Sequence, residues 1–178
     1  MPEKDSSCEN LSRYIRDVPD FPVEGIIFKD ITTLLKNPQA FRQATELFLR
    51  RYRGQEIDQV VAIESRGFIF GAPIAYELGA GFVPVRKLGK LPADTINQEY
   101  ALEYGTACLE IHKDAIQKGQ RILIVDDLLA TGGSAQATVS LVEKLGGEIV
   151  SIAFLIELAF LKGRDKLKGH DIFSLIRY

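Results

Sequence analysis

The sequence is poor in the residues that build disulfide scaffolds and histidine–cysteine metal centres. Among its 178 residues there are two cysteines and two histidines. Cys8 and Cys108 lie far apart, with no histidine or cysteine at ligand spacing, so we expect free thiols in a reducing compartment. His112 and His170 are equally isolated, and we assign neither a metal-binding nor a catalytic role.

Long hydrophobic runs and a surplus of positive charge are also missing. The longest apolar run, residues 150–158, is interrupted by Ser151 and Glu157 and is about half of what spans a bilayer. The N-terminal MPEKDSSCEN has neither the apolar core of a signal peptide nor the arginine-rich character of a transit peptide. A net charge of −2 argues against a reader of duplex nucleic acid, which clusters basic residues against phosphates. We expect a cytoplasmic protein that binds neither nucleic acid nor membrane.

What remains is the composition of a globular domain, with 46% apolar and 26% charged residues. Apolar runs typical of strands alternate with helical patterns from the middle of the chain onward. Two of these runs are continuously apolar, as expected when helices cover both faces of a parallel sheet. The predicted strands are residues 57–63, 82–86, 121–127 and 148–158.

Two helices are predicted to flank these strands along the chain. One covers residues 38–54, with Pro38 in its first turn and arginines before Gly54. The other follows Ser134 and has one apolar stripe, formed by Ala135, Val139, Val142 and Leu145. The sequence therefore predicts one α/β domain over residues 1–178, with an open, mainly parallel, twisted sheet flanked by helices.

Two segments fall outside this alternation. Residues 1–35 suggest a short helix near residues 11–17, followed by a cover punctuated by proline and glycine. Residues 86–105, RKLGKLPADTINQEYALEYG, are polar and have no clear periodicity. Irregular segments of this length in a compact domain are usually functional or mobile.

The stretch ILIVDDLLATGGSA, residues 122–135, combines two features of a ligand site. Ligands of an open α/β sheet bind beyond the carboxyl ends of its strands, where Asp126 and Asp127 stand. The following Thr131-Gly132-Gly133-Ser134 opens a helix, where convergent N–H groups and hydroxyls favour a phosphate. Paired acceptors for hydroxyls beside a phosphate pocket indicate a ribose 5-phosphate site. A plain helix start with solvated carboxylates remains the alternative, whereas Walker-type nucleotide binding lacks its lysine.

A second strand-to-helix loop follows residues 57–63. In Glu64-Ser65-Arg66-Gly67, hydrogen-bond donors point outward from a strand end, which favours anion binding by Arg66. The alternative role for Arg66 is that of a surface ion-pair partner.

These motifs resemble those of the type I phosphoribosyltransferases, and DDLLATGG resembles their adenine-specific members in particular. Further stretches resemble the family in order: DFPVEGIIFKDIT the base-binding hood, IESRGFIFGAPIAYELG the pyrophosphate loop, and RKLGKLP with EYALEYG the lid. IELAFLKGRDKL, near the C-terminal end, also fits. The resemblance implies the family fold with a small hood at 1–35 and a flexible lid loop at 86–105. The implied enzyme is a pentosyl transferase that converts adenine and phosphoribosyl diphosphate (PRPP) to AMP and pyrophosphate, a step of purine salvage.

The resemblance also implies roles for residues around PRPP. Asp126 and Asp127 would hold the ribose hydroxyls. Mg²⁺ would be bound mainly through PRPP oxygens, so no protein residue is assigned to the metal. Arg86 would act across the interface of a homodimer, and the loop of residues 64–67 is expected to contain a cis peptide bond. The implied 5′-phosphate cradle is Ala130, Thr131, Gly132, Gly133 and Ser134, and the implied pyrophosphate ligands are Arg66, Arg86, Lys87 and Lys90.

Specificity for the base follows from the same resemblance. Relatives acting on 6-oxopurines carry an aspartate in place of Ala130 to handle the N7 proton, which alanine cannot do. In adenine enzymes a lid glutamate takes this role, here Glu103 with Tyr104 packing beside it, and Glu99 is the rival carboxylate. In the hood, Phe28 would stack on the purine while the backbones of Ile27 and Lys29 read its edge. A plain core aromatic is the alternative for Phe28.

Two other functions remain to be weighed. A 6-oxopurine phosphoribosyltransferase is disfavoured by Ala130 and the LEYG lid. A non-catalytic PRPP-sensing regulator would be expected to add a nucleic-acid-binding segment, for which we expect no spare length, and to lose Glu103.

Overall fold

A seven-stranded sheet forms the centre of the protein. The structure is a computed structural model that describes residues 11–101 and 105–178, so Glu103 and Tyr104 lie outside the described residues. The strands of the sheet are β3 (Gln59–Ile63), β4 (Gly81–Lys87), β5 (Thr95–Ala101), β6 (Thr106–His112), β7 (Arg121–Leu129), β8 (Glu148–Glu157) and β9 (Ile172–Arg177). Their spatial order is β5-β6-β4-β3-β7-β8-β9.

Most of the sheet is parallel. β4, β3, β7, β8 and β9 pair in parallel, whereas β6 and β5 extend the edge beyond β4 in antiparallel pairing. The helices are α1 (Thr32–Leu35), α2 (Pro38–Tyr52), α3 (Arg66–Leu78) and α4 (Gly133–Lys144), and two 3₁₀ segments cover Ala159–Leu161 and Gly163–Leu167. The predicted open α/β sheet is confirmed.

The continuously apolar run of β7 is explained by two hydrophobic cores, one on each face of the sheet. Leu123 and Val125 point into the core formed with α2 and α3. Ile122 and Ile124 point into the core formed with α4. All four side chains are fully buried, so neither face of β7 tolerates the alternating polar residues of a half-exposed strand.

Both predicted helices are present. α2 begins at Pro38, where the side chain of Asn37 accepts a hydrogen bond from the backbone N–H of Ala40 at 2.9 Å. In α4 the predicted stripe faces the core, with Ala135, Val139 and Val142 buried. The helix thus holds the segment after Asp127 against the sheet.

The N-terminal cover differs from its prediction. Leu11 and Ser12 are helical, but strand β1 (Arg16–Pro19) begins within the predicted helix and pairs antiparallel with β2 (Ile27–Asp30). Residues 13–15 form turns and a bend, so the helix prediction for residues 11–17 is wrong from Arg13 onward. The cause is non-local, because the Arg16 guanidinium forms an ion pair with Asp30 across the hairpin and local propensity cannot anticipate this pairing.

Residues 86–105 contain regular structure that the sequence does not reveal. β4 continues to Lys87, and β5 runs antiparallel to β6. The expectation of a segment without regular structure is therefore wrong for residues 95–101. Glu110, buried on β6, accepts hydrogen bonds at 2.8 Å from the backbone N–H groups of Lys90 and Leu91, which fixes the turn between these strands.

Within residues 11–101 and 105–178, no helix has the length and apolarity needed to cross a bilayer.

Candidate functional site

A cavity of about 370 Å³ opens beyond the carboxyl ends of β3 and β7. Its position follows from the parallel pairing of these strands, since their ends and the loops after them meet at one edge of the sheet. The cavity is lined by nine of the predicted site residues: Arg66, Lys87, Asp126, Asp127, Ala130, Thr131, Gly132, Gly133 and Ser134.

Asp126 and Asp127 are held at the end of β7, where their exposed fractions are 7% and 5%. The Nε of Arg66 donates a hydrogen bond to Oδ2 of Asp127, so the two form an ion pair. Oδ1 of Asp126 accepts a hydrogen bond from the Asp127 backbone N–H at 2.9 Å. Burial raises the pKa of Asp126 well above its usual value, and the neighbouring Asp127 charge raises it further. The pair presents acceptor oxygens to a ligand with adjacent hydroxyls.

The loop before α4 is shaped for an anion. Gly132 precedes the helix with φ of 79°, and no described side chain caps the helix start. The first-turn N–H groups of an uncapped helix are available to a ligand, and the helix dipole favours negative charge there. Thr131 and Ser134 add hydroxyl donors to the same wall of the cavity.

Glycine allows two close backbone approaches around the cavity. A Cβ on Gly67 would lie 2.8 Å from the carbonyl oxygen of Val125 and 3.0 Å from Oδ1 of Asp126. A Cβ on Gly132 would lie 2.5 Å from the carbonyl oxygen of Gly163. These positions bring α3 directly against the end of β7, and the 3₁₀ segment Gly163–Leu167 directly against the loop before α4.

The cationic residues divide into two groups. Arg66 and Lys87 line the cavity, whereas Arg86 and Lys90 are not among its lining residues. Arg86 pairs with Glu64, with 3.0 Å between Nε and Oε2, and its Nη1 donates to the Lys90 carbonyl at 3.1 Å. Arg86 lowers the pKa of Glu64 by hydrogen bonding. The peptide bond between Glu64 and Ser65 is cis, as the resemblance implies.

The hood hairpin places Phe28 beside the Arg66 loop. The Cζ of Arg66 lies 5.8 Å from the centre of the Phe28 ring, and Phe21 packs edge-on at 5.2 Å. Phe28 is half-buried and belongs to neither described core. The Lys29 ammonium is engaged elsewhere, 2.7 Å from Oδ1 of Asp17 and 3.9 Å from the centre of the Tyr178 ring.

Tyr100 is a site residue that sequence reasoning missed. It lies on β5 and lines the cavity, and its ring would be 3.0 Å from a Cβ on Gly133. Burial raises the pKa of Tyr100, and the charge of Asp126 raises it further. Glu99, the rival carboxylate, is exposed and absent from the cavity lining. Recognising β5 as a strand would have placed the side chains of Glu99 and Tyr100 on opposite faces, because adjacent side chains of a strand point in opposite directions.

Comparisons with known proteins agree with this geometry. The phosphoribosyl transferase domain family matches residues 30–175. The adenine phosphoribosyltransferase of Thermoanaerobacter sp. is 59% identical over 172 residues, which is 97% of this chain and 99% of that protein. The crystal structure of adenine phosphoribosyltransferase from Thermoanaerobacter pseudethanolicus has a TM-score of 0.93 at 58% identity and covers 96% of this chain and 99% of its own.

A more distant solved structure bears on the ligands. Adenine phosphoribosyltransferase from Saccharomyces cerevisiae, complexed with an imino-altritol bisphosphate and adenine, is 44% identical. Its TM-score is 0.89, with coverage of 96% of this chain and 98% of that one.

Proposed function

The chain belongs to the adenine phosphoribosyltransferase family, and from this premise we propose that it transfers the phosphoribosyl group of PRPP to adenine, giving AMP and pyrophosphate. One observation supports this function above the others: a single cavity is lined both by the buried carboxylates of Asp126 and Asp127 and by the start of α4, which no described side chain caps. Vicinal hydroxyls and a terminal phosphate on one small sugar match these two features. The reaction reuses a free base, as purine salvage requires.

The ribose phosphate part of PRPP would occupy the β7–α4 side of the cavity. Asp126 and Asp127 accept hydrogen bonds from the 2′- and 3′-hydroxyls. The 5′-phosphate binds the N–H groups and hydroxyls of Ala130, Thr131, Gly132, Gly133 and Ser134. Their support is that all these residues line one cavity.

The pyrophosphate would lie on the β3–α3 side. Arg66 and Lys87 line that wall, and their positive charges would neutralise the negative charge of the pyrophosphate. Arg86 and Lys90 would join them when the Arg86–Glu64 pair rearranges or through the partner subunit of a homodimer. Exposed large apolar side chains support an interface, among them Ile27 at 57% and Tyr76 at 84%.

Magnesium fits this arrangement as a metal held mainly by the substrate. No cluster of three His, Cys, Asp or Glu side chains able to hold a metal exists among residues 11–101 and 105–178. The acids that line the cavity are Glu64, Asp126 and Asp127, and Mg²⁺ commonly keeps phosphate and water ligands. When bound, Mg²⁺ neutralises charge on the pyrophosphate leaving group.

The chemistry is a displacement at the anomeric carbon. The N9 of adenine bonds to C1′ as the C1′–O bond to pyrophosphate breaks, and the purine loses a proton. The residues that orient adenine and the sugar can supply up to about 7–11 kcal/mol of the barrier reduction, and covering the cavity keeps water from the oxocarbenium-like carbon. We assign the purine proton to Glu103 and the packing of the closed lid to Tyr104.

Adenine would lie between the hood and the sugar. Phe28 stacks on the base, and the backbones of Ile27 and Lys29 read its edge. Two observations support this. Phe28 neighbours Arg66, which lines the cavity. The Lys29 side chain is held by Asp17 and Tyr178, which leaves its main chain for recognition. We place the enzyme in the cytoplasm, where PRPP and free adenine are expected.

The test is AMP or nucleotide formation from PRPP and Mg²⁺ with adenine, hypoxanthine, guanine and xanthine in separate reactions. We expect turnover with adenine alone. Turnover with an oxopurine would make the enzyme a 6-oxopurine transferase. Tight PRPP binding without turnover of any base would identify a PRPP sensor.

A further inference from the structure

A second charged cluster lies outside the cavity, where β8 ends. Glu157, its last residue, is 2% exposed. Arg164 binds it with both ends of its guanidinium, at 2.7 Å from Nε to Oε1 and 2.7 Å from Nη2 to Oε2. Ser174 on β9 donates to Oε2 at 2.8 Å, and Arg177 approaches Oε1 at 3.3 Å. Every oxygen of this buried carboxylate is therefore satisfied.

Burial alone would raise the pKa of Glu157. The hydrogen bonds from Arg164 and Ser174 outweigh burial and lower the pKa below its usual value. The carboxylate thus stays charged and bound to the guanidinium at neutral pH.

Arg164 connects this cluster to the phosphate loop through its neighbour Gly163. A Cβ on Gly163 would lie 2.9 Å from Cδ1 of Leu129 and 3.1 Å from the backbone nitrogen of Gly132. The Gly163 backbone therefore packs directly on the loop that we propose binds the 5′-phosphate. Gly163 itself does not line the cavity, so this contact lies outside the space open to a ligand.

The strand of Glu157 also holds the end of β7 from which this loop begins. Glu157 is in register with Leu129, the last residue of β7, and the N–H of Leu158 donates to the Leu129 carbonyl at 2.9 Å. The loop of residues 130–132 therefore begins at a strand end that is hydrogen-bonded to the strand of Glu157. The same loop packs against the segment that Glu157 binds through Arg164.

From these contacts we propose that the Glu157–Arg164 pair positions the loop that precedes α4. The pair would thereby set the spacing of the backbone N–H groups that bind the 5′-phosphate of PRPP. This inference rests on the proposed function for the identity of the anion. The pair touches no substrate. Its effect on PRPP passes through Gly163 and Gly132, so it should be specific to the sugar phosphate and leave adenine binding unchanged.

The test compares Glu157→Gln and Arg164→Lys with the wild type. Arg164→Lys keeps the positive charge but loses the two-pronged geometry, which makes it the variant of choice if Glu157→Gln does not fold. We expect KM for PRPP to rise roughly tenfold, because small displacements of binding groups have effects of this order or more. KM for adenine should stay near its wild-type value. Affinity for ribose 5-phosphate, measured by calorimetry, should fall by the same factor as KM for PRPP rises.

A matched control is the Arg51–Asp171 pair, which joins α2 to the segment before β9 at 3.0 Å and lies away from the cavity. Arg51→Lys should lower Tm without changing KM for PRPP. If the Glu157 and Arg164 variants also lose Tm but keep wild-type PRPP and ribose 5-phosphate binding, the pair is structural and the inference is wrong. A wild type that binds ribose 5-phosphate but transfers nothing would overturn the proposed function alone, since the calorimetric comparison needs no turnover.

Discussion

Arg66 forms its ion pair with Asp127 and not with the adjacent Asp126, although all three line the same cavity. The pairing compensates one of two neighbouring buried carboxylates. Burial, and then the charge of Asp127, raise the pKa of Asp126. The two acids are therefore chemically different in the free protein, despite their adjacent positions in the sequence.

A pH dependence of stability follows from Asp126. Because its folded pKa lies above the unfolded value, the native state binds more protons than the unfolded state between these two pKa values. Stability should therefore fall as pH rises from about 4 through the raised pKa. Asp126→Asn should flatten this part of the profile, as measured by urea unfolding at a series of pH values. An unchanged slope in the variant would show that another group is responsible.

Glu103→Ala tests the proposed proton transfer. Removing a positioned proton carrier should lower kcat/KM for adenine by about 10²-fold or more. The matched control is Glu99→Ala, which removes an exposed carboxylate that lies outside the cavity lining and should leave kcat/KM near the wild-type value. If Glu99→Ala shows the larger loss in steady-state kinetics, the proton belongs to Glu99.

Phe28→Ala and Lys29→Ala separate side-chain from main-chain recognition of the base. Loss of the stacking ring should raise KM for adenine by about tenfold, which corresponds to about 1.4 kcal/mol of aromatic contact. Lys29→Ala removes contacts to Asp17 and Tyr178 but keeps the backbone, so its effect on KM should be smaller. Equal losses in the two variants would count against a stacking role.

Gly132→Ala tests the close approach behind the phosphate loop. The substitution combines a positive φ of 79° with a contact 2.5 Å from the Gly163 carbonyl. Gly119→Ala is the control, because φ is 83° there and nothing lies within 4 Å of the new Cβ. The control should lose about 1–2 kcal/mol of stability from its backbone conformation. Gly132→Ala should lose more and also weaken ribose 5-phosphate binding, whereas equal effects on both properties would argue against the contact.

Tyr100→Phe and Tyr100→Ala distinguish the ring from the hydroxyl. The ring packs over Gly133 at the start of α4, so phenylalanine should keep KM for PRPP near wild type. Alanine opens that wall of the cavity, and we expect KM for PRPP to rise several-fold, by roughly the cost of one lost aromatic contact. A phenylalanine variant as impaired as the alanine variant would instead assign the role to the hydroxyl.

The sequence predicts best what depends on local pattern. Three features of the site are contiguous in the sequence: β7, the two acids at its end and the glycines that begin α4. The rule that ligands bind beyond the carboxyl ends of strands then assigns all three to one ligand site. Tyr100 was missed because β5 is an edge strand with polar residues on both faces, which removes the alternation that marks a strand. The contacts of Arg86 with Glu64, and of Glu157 with Arg164, join residues from different elements, so spacing in the sequence does not indicate them.

The division of β7 between two hydrophobic cores has a consequence for tolerance to mutation. Its side chains enter the two layers alternately, so the strand is anchored independently from above and below. A substitution that weakens packing in one hydrophobic core leaves β7, and with it Asp126 and Asp127, held by the other core. The strand that carries the carboxylate pair is therefore held by two separate hydrophobic cores. Residues of either core can be substituted while the other core keeps the spacing of Asp126 and Asp127.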